Sequence, residues 1–154
     1  MKNKDLKNFY DKVYEKGEKG YYTKLLLSDG KVSLDKKAVL GATNWKGKRV
    51  LDVGCGTGEL ASMIARRGAL RVLGIDFSPV AIDIAKKLHN GKNLMFECND
   101  IKNVDERFDV ITSLGTLEHF DKPFVLLRKF KNMLRPGGSI IIVAPNWSNP
   151  RGYM

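Results

Sequence analysis

The chain has 154 residues, 43% hydrophobic and 29% charged, which is the make-up of one soluble globular domain with room for a substantial core. No apolar run approaches the ~20 residues of a membrane span, and the charged amino terminus lacks a signal-peptide core, so a cytoplasmic protein without a membrane span is expected. Net charge is +10, concentrated in residues 1–49 with 13 Lys+Arg against 6 Asp+Glu; such an excess can attract nucleic acid, anionic lipid or an acidic substrate, or be a solvated lysine-rich surface.

Leu6, Phe9, Tyr10, Val13 and Tyr14 recur at helical spacing and predict an amphipathic helix, ended by Gly17 and Gly20. A second short helix is expected over 34–40, before a polar connection at 44–48. From Arg49 the pattern changes to strand and helix in alternation. Strands are expected at 49–53, 71–76, 94–98, 108–113 and 139–143. The helix after the first strand covers 59–67 and stops at Gly68. Ser78-Pro79 is a cap followed by proline at the first helical position, opening a helix over 80–88. Asp121 and Pro123 open another through Met133, which Pro136-Gly137-Gly138 closes. The last strand is almost wholly apolar, as when both faces are covered.

This alternation predicts an α/β fold: a doubly wound, mostly parallel Rossmann-like sheet with helices on both faces. Residues 1–48 form an amino-terminal helical lid segment, 49–145 the sheet domain, and 146–154 a polar, breaker-rich tail. A five-strand sheet leaves an edge with nothing in the sequence to cover it. A fragment lacking two further strands, a sixth and a seventh, is the favoured reading; self-association through that edge is the other. Cys55 and Cys98 fall about two strand spacings apart, ~9–10 Å, too far for a disulfide. With no CxxC spacing, neither a zinc site nor any other metal is expected.

Polar residues collect at the carboxyl ends of the strands, where open α/β sheets bind ligands. Asp52 ends the first strand and Asp76 the second; Asn99-Asp100 follow the third, and Ser113 to His119 the fourth. Between the first strand and its helix lies Gly54-Cys55-Gly56-Thr57-Gly58, whose missing side chains let a ligand lie on the backbone at a helix start. Asp76 stands about 20 residues beyond that turn, the offset at which a carboxylate accepts ribose hydroxyls. Its other reading is a helix cap, a task Ser78 already fills. A dinucleotide fingerprint reads G-x-G-x-x-G; here the spacing is G-x-G-x-G, with Asp52 two residues earlier. A fixed carboxylate there is awkward for pyrophosphate and favourable for an amino group, which suits S-adenosylmethionine.

With VLDVGCGTG at 50–58, the acid in GIDFS at 74–78, ND at 99–100, FDVI at 108–111, LEH at 117–119 and LRPGG at 134–138, the segment 49–145 resembles a class I S-adenosylmethionine-dependent methyltransferase of small-molecule type. The resemblance implies that Gly54 and Gly56 carry the methionine portion, with Asp52 near its amino group and Cys55 contributing backbone. Gly58 lets the helix approach. Asp76 holds the ribose diol and Phe77 lies along the adenine, while Asn99, Asp100 and the Ile101 N–H meet the adenine edge. Leu114 and Thr116 line the floor near the sulfonium. His119 is a candidate general base, or a structural histidine of the loop. His89 reads as a favourable charge at a helix end. One of Tyr10, Tyr14, Tyr21 and Tyr22 could face the sulfonium; the alternative is a plain apolar stripe. The implied activity is in-line methyl transfer to an unidentified acceptor, a small molecule first, releasing S-adenosylhomocysteine without a metal. An RNA methyltransferase, or a non-catalytic module that binds S-adenosylmethionine, are the alternatives.

Overall fold

The computed structural model describes residues 3–17 and 32–144. Tyr21, Tyr22, Gly20 and the tail from 145 onward lie outside the described residues, as do the side chains of Leu6 and Tyr10. In chain order the elements are α1 (Asn3–Gly17), α2 (Leu34–Gly41), β1 (Arg49–Val53), α3 (Glu59–Arg66), β2 (Arg71–Asp76), α4 (Pro79–Leu88), β3 (Leu94–Cys98), a 3₁₀ turn (Ile101–Asn103), β4 (Phe108–Leu114), a second 3₁₀ turn (Leu117–His119), α5 (Pro123–Met133) and β5 (Leu134–Val143).

The strands form one parallel sheet in the order β3-β2-β1-β4-β5. Each crossover carries apolar residues on both sides of the strands, and the period of two sorts them. Val50, Val72 and Val110 face α2, α3 and α4, packing with Val39, Leu40, Leu60, Ile64 and Ile82. Leu51, Leu73 and Ile111 face α5, packing with Leu126, Phe130 and Met133. Strand order reverses between β1 and β4, so the chain leaves their carboxyl ends in opposite directions and opens a crevice there. α1 lies against α4, with Tyr14 buried beside Ala81 and Ile84.

Caps agree with local chemistry in two places. Ser78 Oγ accepts from the Ala81 N–H ahead of Pro79, and Ser33 Oγ from the Lys36 N–H. At α5 the expectation needs correction: Lys122, not Asp121, occupies the N-cap, and no side chain caps it.

The end of α5 is a second correction. Pro136-Gly137-Gly138 does not close the helix; β5 begins at Leu134, directly after Met133. Leu134 pairs with Phe108 and Ser139 with Val110, so the intervening residues bulge out of the ladder, with Gly137 at φ 75°. Pairing across to β4 outweighs the local turn chemistry. Nor is β5 covered on both faces: it is the edge of the described sheet, and Ile140 to Val143 are only half-buried. Phe9, assigned to the buried stripe of α1, is 56% exposed.

Candidate functional site

Asp52 sits on β1 on the same face as Val50, in register with Gly74 on one side and Thr112 on the other. Gly74 has no side chain to offer because Phe96 and Cys55 already fill the space; a Cβ there would lie 2.8 Å from Phe96. The Thr112 hydroxyl donates to Asp52 Oδ1 at 2.7 Å. Oδ2 is buried and has no hydrogen-bond partner among the described residues. Burial raises the Asp52 carboxyl to about 6, helped by the charge of Asp76 and opposed by the Thr112 bond and the charge of Lys36.

Asp76, at the end of β2, ties the glycine turn to the start of α4. Its Oδ2 accepts from the Gly56 N–H and its Oδ1 from the Ser78 N–H, both at 2.9 Å. Burial raises its pKa, and these backbone bonds restrain the rise. The helix-cap reading of Asp76 is therefore half of its role: it serves the Ser78 amide while Ser78 caps the helix. Ser78 also donates to Asp11 of α1, which pairs with Lys7 at 2.6 Å.

Gly54 has φ 72°, and a Cβ on it would fall 2.1 Å from Thr116 Oγ1. Only glycine satisfies both the left-handed backbone and the close passage of the β4 loop. Gly58, at φ 81°, is bare for the same two reasons: its backbone is left-handed, and Phe96 reaches to within 2.5 Å of where its Cβ would be, so α3 can close onto β3.

Two cavities meet at this crevice. The larger, about 440 Å³, is lined by Asp76 and Phe77 from β2 and Asn99, Asp100 and Ile101 after β3, and by Leu114, Thr116 and His119 after β4. The smaller, about 240 Å³, is bounded by Asp52, Gly54, Cys55, Gly56, Lys36 and Glu59. Gly54, Leu114 and Tyr14 border both. Their sizes fall at and below the usual range of small-ligand pockets, ~300–1,000 Å³. Among the described residues, every one singled out from the sequence as a binding candidate borders one cavity or the other except Gly58.

Some expectations change in detail. Asp100 is exposed, and its Oδ1 accepts from the Lys102 N–H, capping the 3₁₀ turn. Burial and the charges of Asp52 and Asp76 push the Cys55 thiol well above its usual range, so it stays protonated. Both cysteines are free. His89 does stand at the end of α4, as its C-cap, but its surroundings disfavour the charge expected there. Burial lowers its pKa, with Arg66 adding to the effect, and the ring lies 6.4 Å from that of Phe96. Among the tyrosines, Tyr14 is the one the described side chains bring to the crevice, its hydroxyl 3.0 Å from where a Gly56 Cβ would stand. Residue spacing alone did not reveal Thr112, Lys36, Lys7 or Phe120. Thr112 and Lys36 reach Asp52 through strand register and helix packing, which no local motif records.

The geometry defines an α/β domain with a two-part ligand crevice at its topological switch point. The profile described as a methyltransferase domain matches residues 28–152, and the chain belongs to that family. It is 36% identical over 121 residues to a ubiquinone biosynthesis O-methyltransferase of Neisseria meningitidis, covering 74% of this chain and 50% of the relative. The chain thus spans about half the length of the curated relatives it matches. Among solved structures it resembles an S-adenosylmethionine-dependent methyltransferase from Mesorhizobium loti, with 25% identity, a TM-score of 0.65 and coverage of 71% of this chain and 53% of that one. It also resembles the [4+2]-cyclase SpnF, with 29% identity, a TM-score of 0.62 and coverage of 75% and 48%. No helix among the described residues is long and apolar enough to cross a membrane.

Proposed function

We propose that the crevice binds S-adenosylmethionine, with the adenosine in the larger cavity and the methionine arm in the smaller, and that the protein transfers its methyl group to the hydroxyl oxygen of a small molecule. The observation that carries this reading is Asp52 Oδ2, buried and without a partner among the described residues, in a residue that lines the smaller cavity. A buried carboxylate oxygen without a donor costs about 1–3 kcal/mol, more if charged. An ammonium group satisfies it; a pyrophosphate would instead face two buried carboxylates, Asp52 and Asp76.

The remaining residues take complementary tasks. Asp76 accepts the ribose hydroxyls on the lone pairs its two backbone bonds leave free. Phe77 and Ile101 sandwich the adenine, and Asn99 and Asp100 offer acceptors at its edge. Gly54 and Gly56 let the methionine arm pass along bare backbone, under Tyr14. α1 acts as a lid over the crevice, fastened to the sheet domain by the Asp11–Ser78 hydrogen bond. When bound, S-adenosylmethionine supplies an electrophilic methyl group on a sulfonium whose departure leaves a neutral thioether. The protein contributes alignment and exclusion of water. His119 lines the larger cavity with Phe120, which supports reading it as the group that takes the proton of an acceptor hydroxyl.

Support for an oxygen acceptor comes from the Neisseria relative, named as an O-methyltransferase. The test is calorimetric titration with S-adenosylhomocysteine and with NAD, followed by transfer of labelled methyl to a panel of hydroxylated small molecules. Binding of the first, no binding of the second and label on oxygen are expected. Silence toward S-adenosylhomocysteine would overturn the reading.

A further inference from the structure

Most of the net charge of +10 lies at the amino ends of the strands, one strand length, ~17 Å, from the crevice. Residues 44–49, 66–71 and 86–93 lead into β1, β2 and β3, and each segment carries three Lys or Arg and no Asp or Glu. Because the three strands are parallel, these segments lie side by side, and hydrogen bonds knit them into one surface. The Gly47 N–H donates to the Gly68 carbonyl and the Leu70 N–H to the Lys48 carbonyl, both at 2.9 Å. The Asn93 side-chain amide donates to the carbonyls of Ala65 and Ala69, at 3.1 and 2.7 Å. Of these basic side chains, Arg71 alone has an ion pair among the described residues, with Glu106. Helix dipoles account for Arg66, Lys86 and Lys87, in the last turns of α3 and α4. They do not account for Lys46, Lys48, Arg71 or Lys92, which stand in loops or at a strand start. Like charges gathered this closely repel, a cost that the fold itself does not require.

Two leucines stand among these charges: Leu70 is 60% exposed and Leu88 46%. The aromatic residue of these segments, Trp45, is buried, with its indole N–H on the Leu40 carbonyl. Single-stranded nucleic acid is held by stacking on aromatic rings as well as by charge, and this face offers no such platform. Exposed leucines flanked by lysine and arginine instead match the boundary of an anionic bilayer, where apolar side chains enter and cations stay with the headgroups. We propose that this face docks the protein on an anionic lipid bilayer, with Leu70 and Leu88 entering between headgroups and Lys46, Arg67 and Lys92 among the residues that meet lipid phosphates. The proposal is independent of the donor assignment. The crevice lies at the other end of the strands, so it stays open to water while the protein is docked.

The experiment is sedimentation of the full chain with vesicles of phosphatidylcholine alone and of phosphatidylcholine mixed with phosphatidylglycerol, at low and at high salt. The mixed vesicles are expected to carry the protein down and the neutral ones not, and high salt to release it, since exposed charges are screened. Combining Lys46→Gln, Arg67→Gln and Lys92→Gln should weaken binding about a hundredfold, each basic residue at an anionic surface being worth about fivefold. Leu70→Ser with Leu88→Ser should also weaken it while leaving the salt dependence in place. A control of equal charge, Lys12→Gln with Lys122→Gln and Arg128→Gln, removes exposed cations from α1 and α5 and should lose far less. Melting curves establish that each variant is folded. Equal losses in the two triple variants would overturn the proposal, because net charge and not this face would then drive binding. Unchanged binding by the leucine variant, equal binding to neutral vesicles, or no binding to mixed vesicles at low salt would overturn it as well. Tighter retention on an RNA duplex than on mixed vesicles would do the same and assign the face to nucleic acid.

Discussion

Asp76→Ala separates two tasks that one carboxylate performs. Asp76 is 6% exposed, and each of its oxygens already accepts one backbone N–H, from Gly56 and from Ser78. The ribose diol would add a hydroxyl donor to each. Hydrogen bonds to a charged acceptor contribute roughly 1.5–3 kcal/mol apiece, less what water returns to the free ligand. A loss of about 2 kcal/mol, near thirtyfold in affinity for S-adenosylhomocysteine, is therefore a lower expectation. The alanine variant also strands the Gly56 and Ser78 amides and loosens the glycine turn, which would weaken binding without any contact to ribose. A double cycle resolves the two effects: calorimetry of wild type and variant against S-adenosylhomocysteine and its 3′-deoxyribose analogue. If Asp76 grips the sugar, removing the hydroxyl weakens wild type by about 1 kcal/mol or more and the variant hardly at all. Strictly additive losses would show that Asp76 only braces the turn, and unchanged affinity in a folded variant would refute even that.

Four further outcomes are expected. Because burial raises Asp52 to about 6, the folded chain holds a proton there between roughly pH 4 and 6 that the unfolded chain has released. That stabilisation is lost as pH rises through this window, by about 3 kcal/mol in all. The difference in stability between Asp52→Asn and wild type, read from urea titrations, should shift in favour of the variant from pH 4 to 7, and a flat difference would refute the assignment. Ligand binding follows the opposite sign, since the ammonium needs ionised Asp52: affinity for S-adenosylhomocysteine should fall below pH 6 in wild type and not in Asp52→Asn. Gly54→Ala should lower the melting temperature and abolish binding through its clash with Thr116, and adding Thr116→Ala should restore part of the stability; no restoration would mean that backbone strain alone is responsible. His119→Ala should cut turnover of a hydroxyl acceptor by about 10²–10⁴-fold with donor affinity intact, whereas a parallel fall in thermal stability would mark a structural histidine.

What the chain discloses before folding depends on how local the deciding contacts are. β1, β2 and β4 are readable to within a residue because buried parallel strands are apolar runs bounded by glycine, proline and charge, and the edge strand β3, with only Phe96 buried, is readable from its place in the strand–helix alternation. The glycine turn is readable because its backbone demand is met by residue type alone. Pro136-Gly137-Gly138 reads as the close of α5 because its own residues favour a turn, and only the partner strand converts it into a bulged strand entry. His89 stands at a helix end where a charge is welcome, but partial burial, with the ring of Phe96 from β3 6.4 Å away, disfavours it. Thr112 lies 60 residues from Asp52 and becomes its hydrogen-bond donor through β1–β4 register. Lys36 enters through the packing of a helix that no motif ties to the crevice.

The likeness to a protein described as a cyclase shows that this sheet order does not dictate one chemistry. The stronger indication of function is a local cost that the fold has no need to bear. The β1 position preceding it on the same face, Val50, is fully buried and apolar, and an apolar or fully bonded residue at 52 would be the stabler choice for the sheet. Instead the position carries a carboxylate with one oxygen bonded to Thr112 and the other buried without a partner among the described residues, in a residue that lines a cavity. Thr112 holds the carboxylate in place by its bonded oxygen. An arrangement that maintains an unsatisfied acceptor at the cost of stability is a binding site awaiting its donor. The charge and shape of that donor are therefore what the mutants above interrogate.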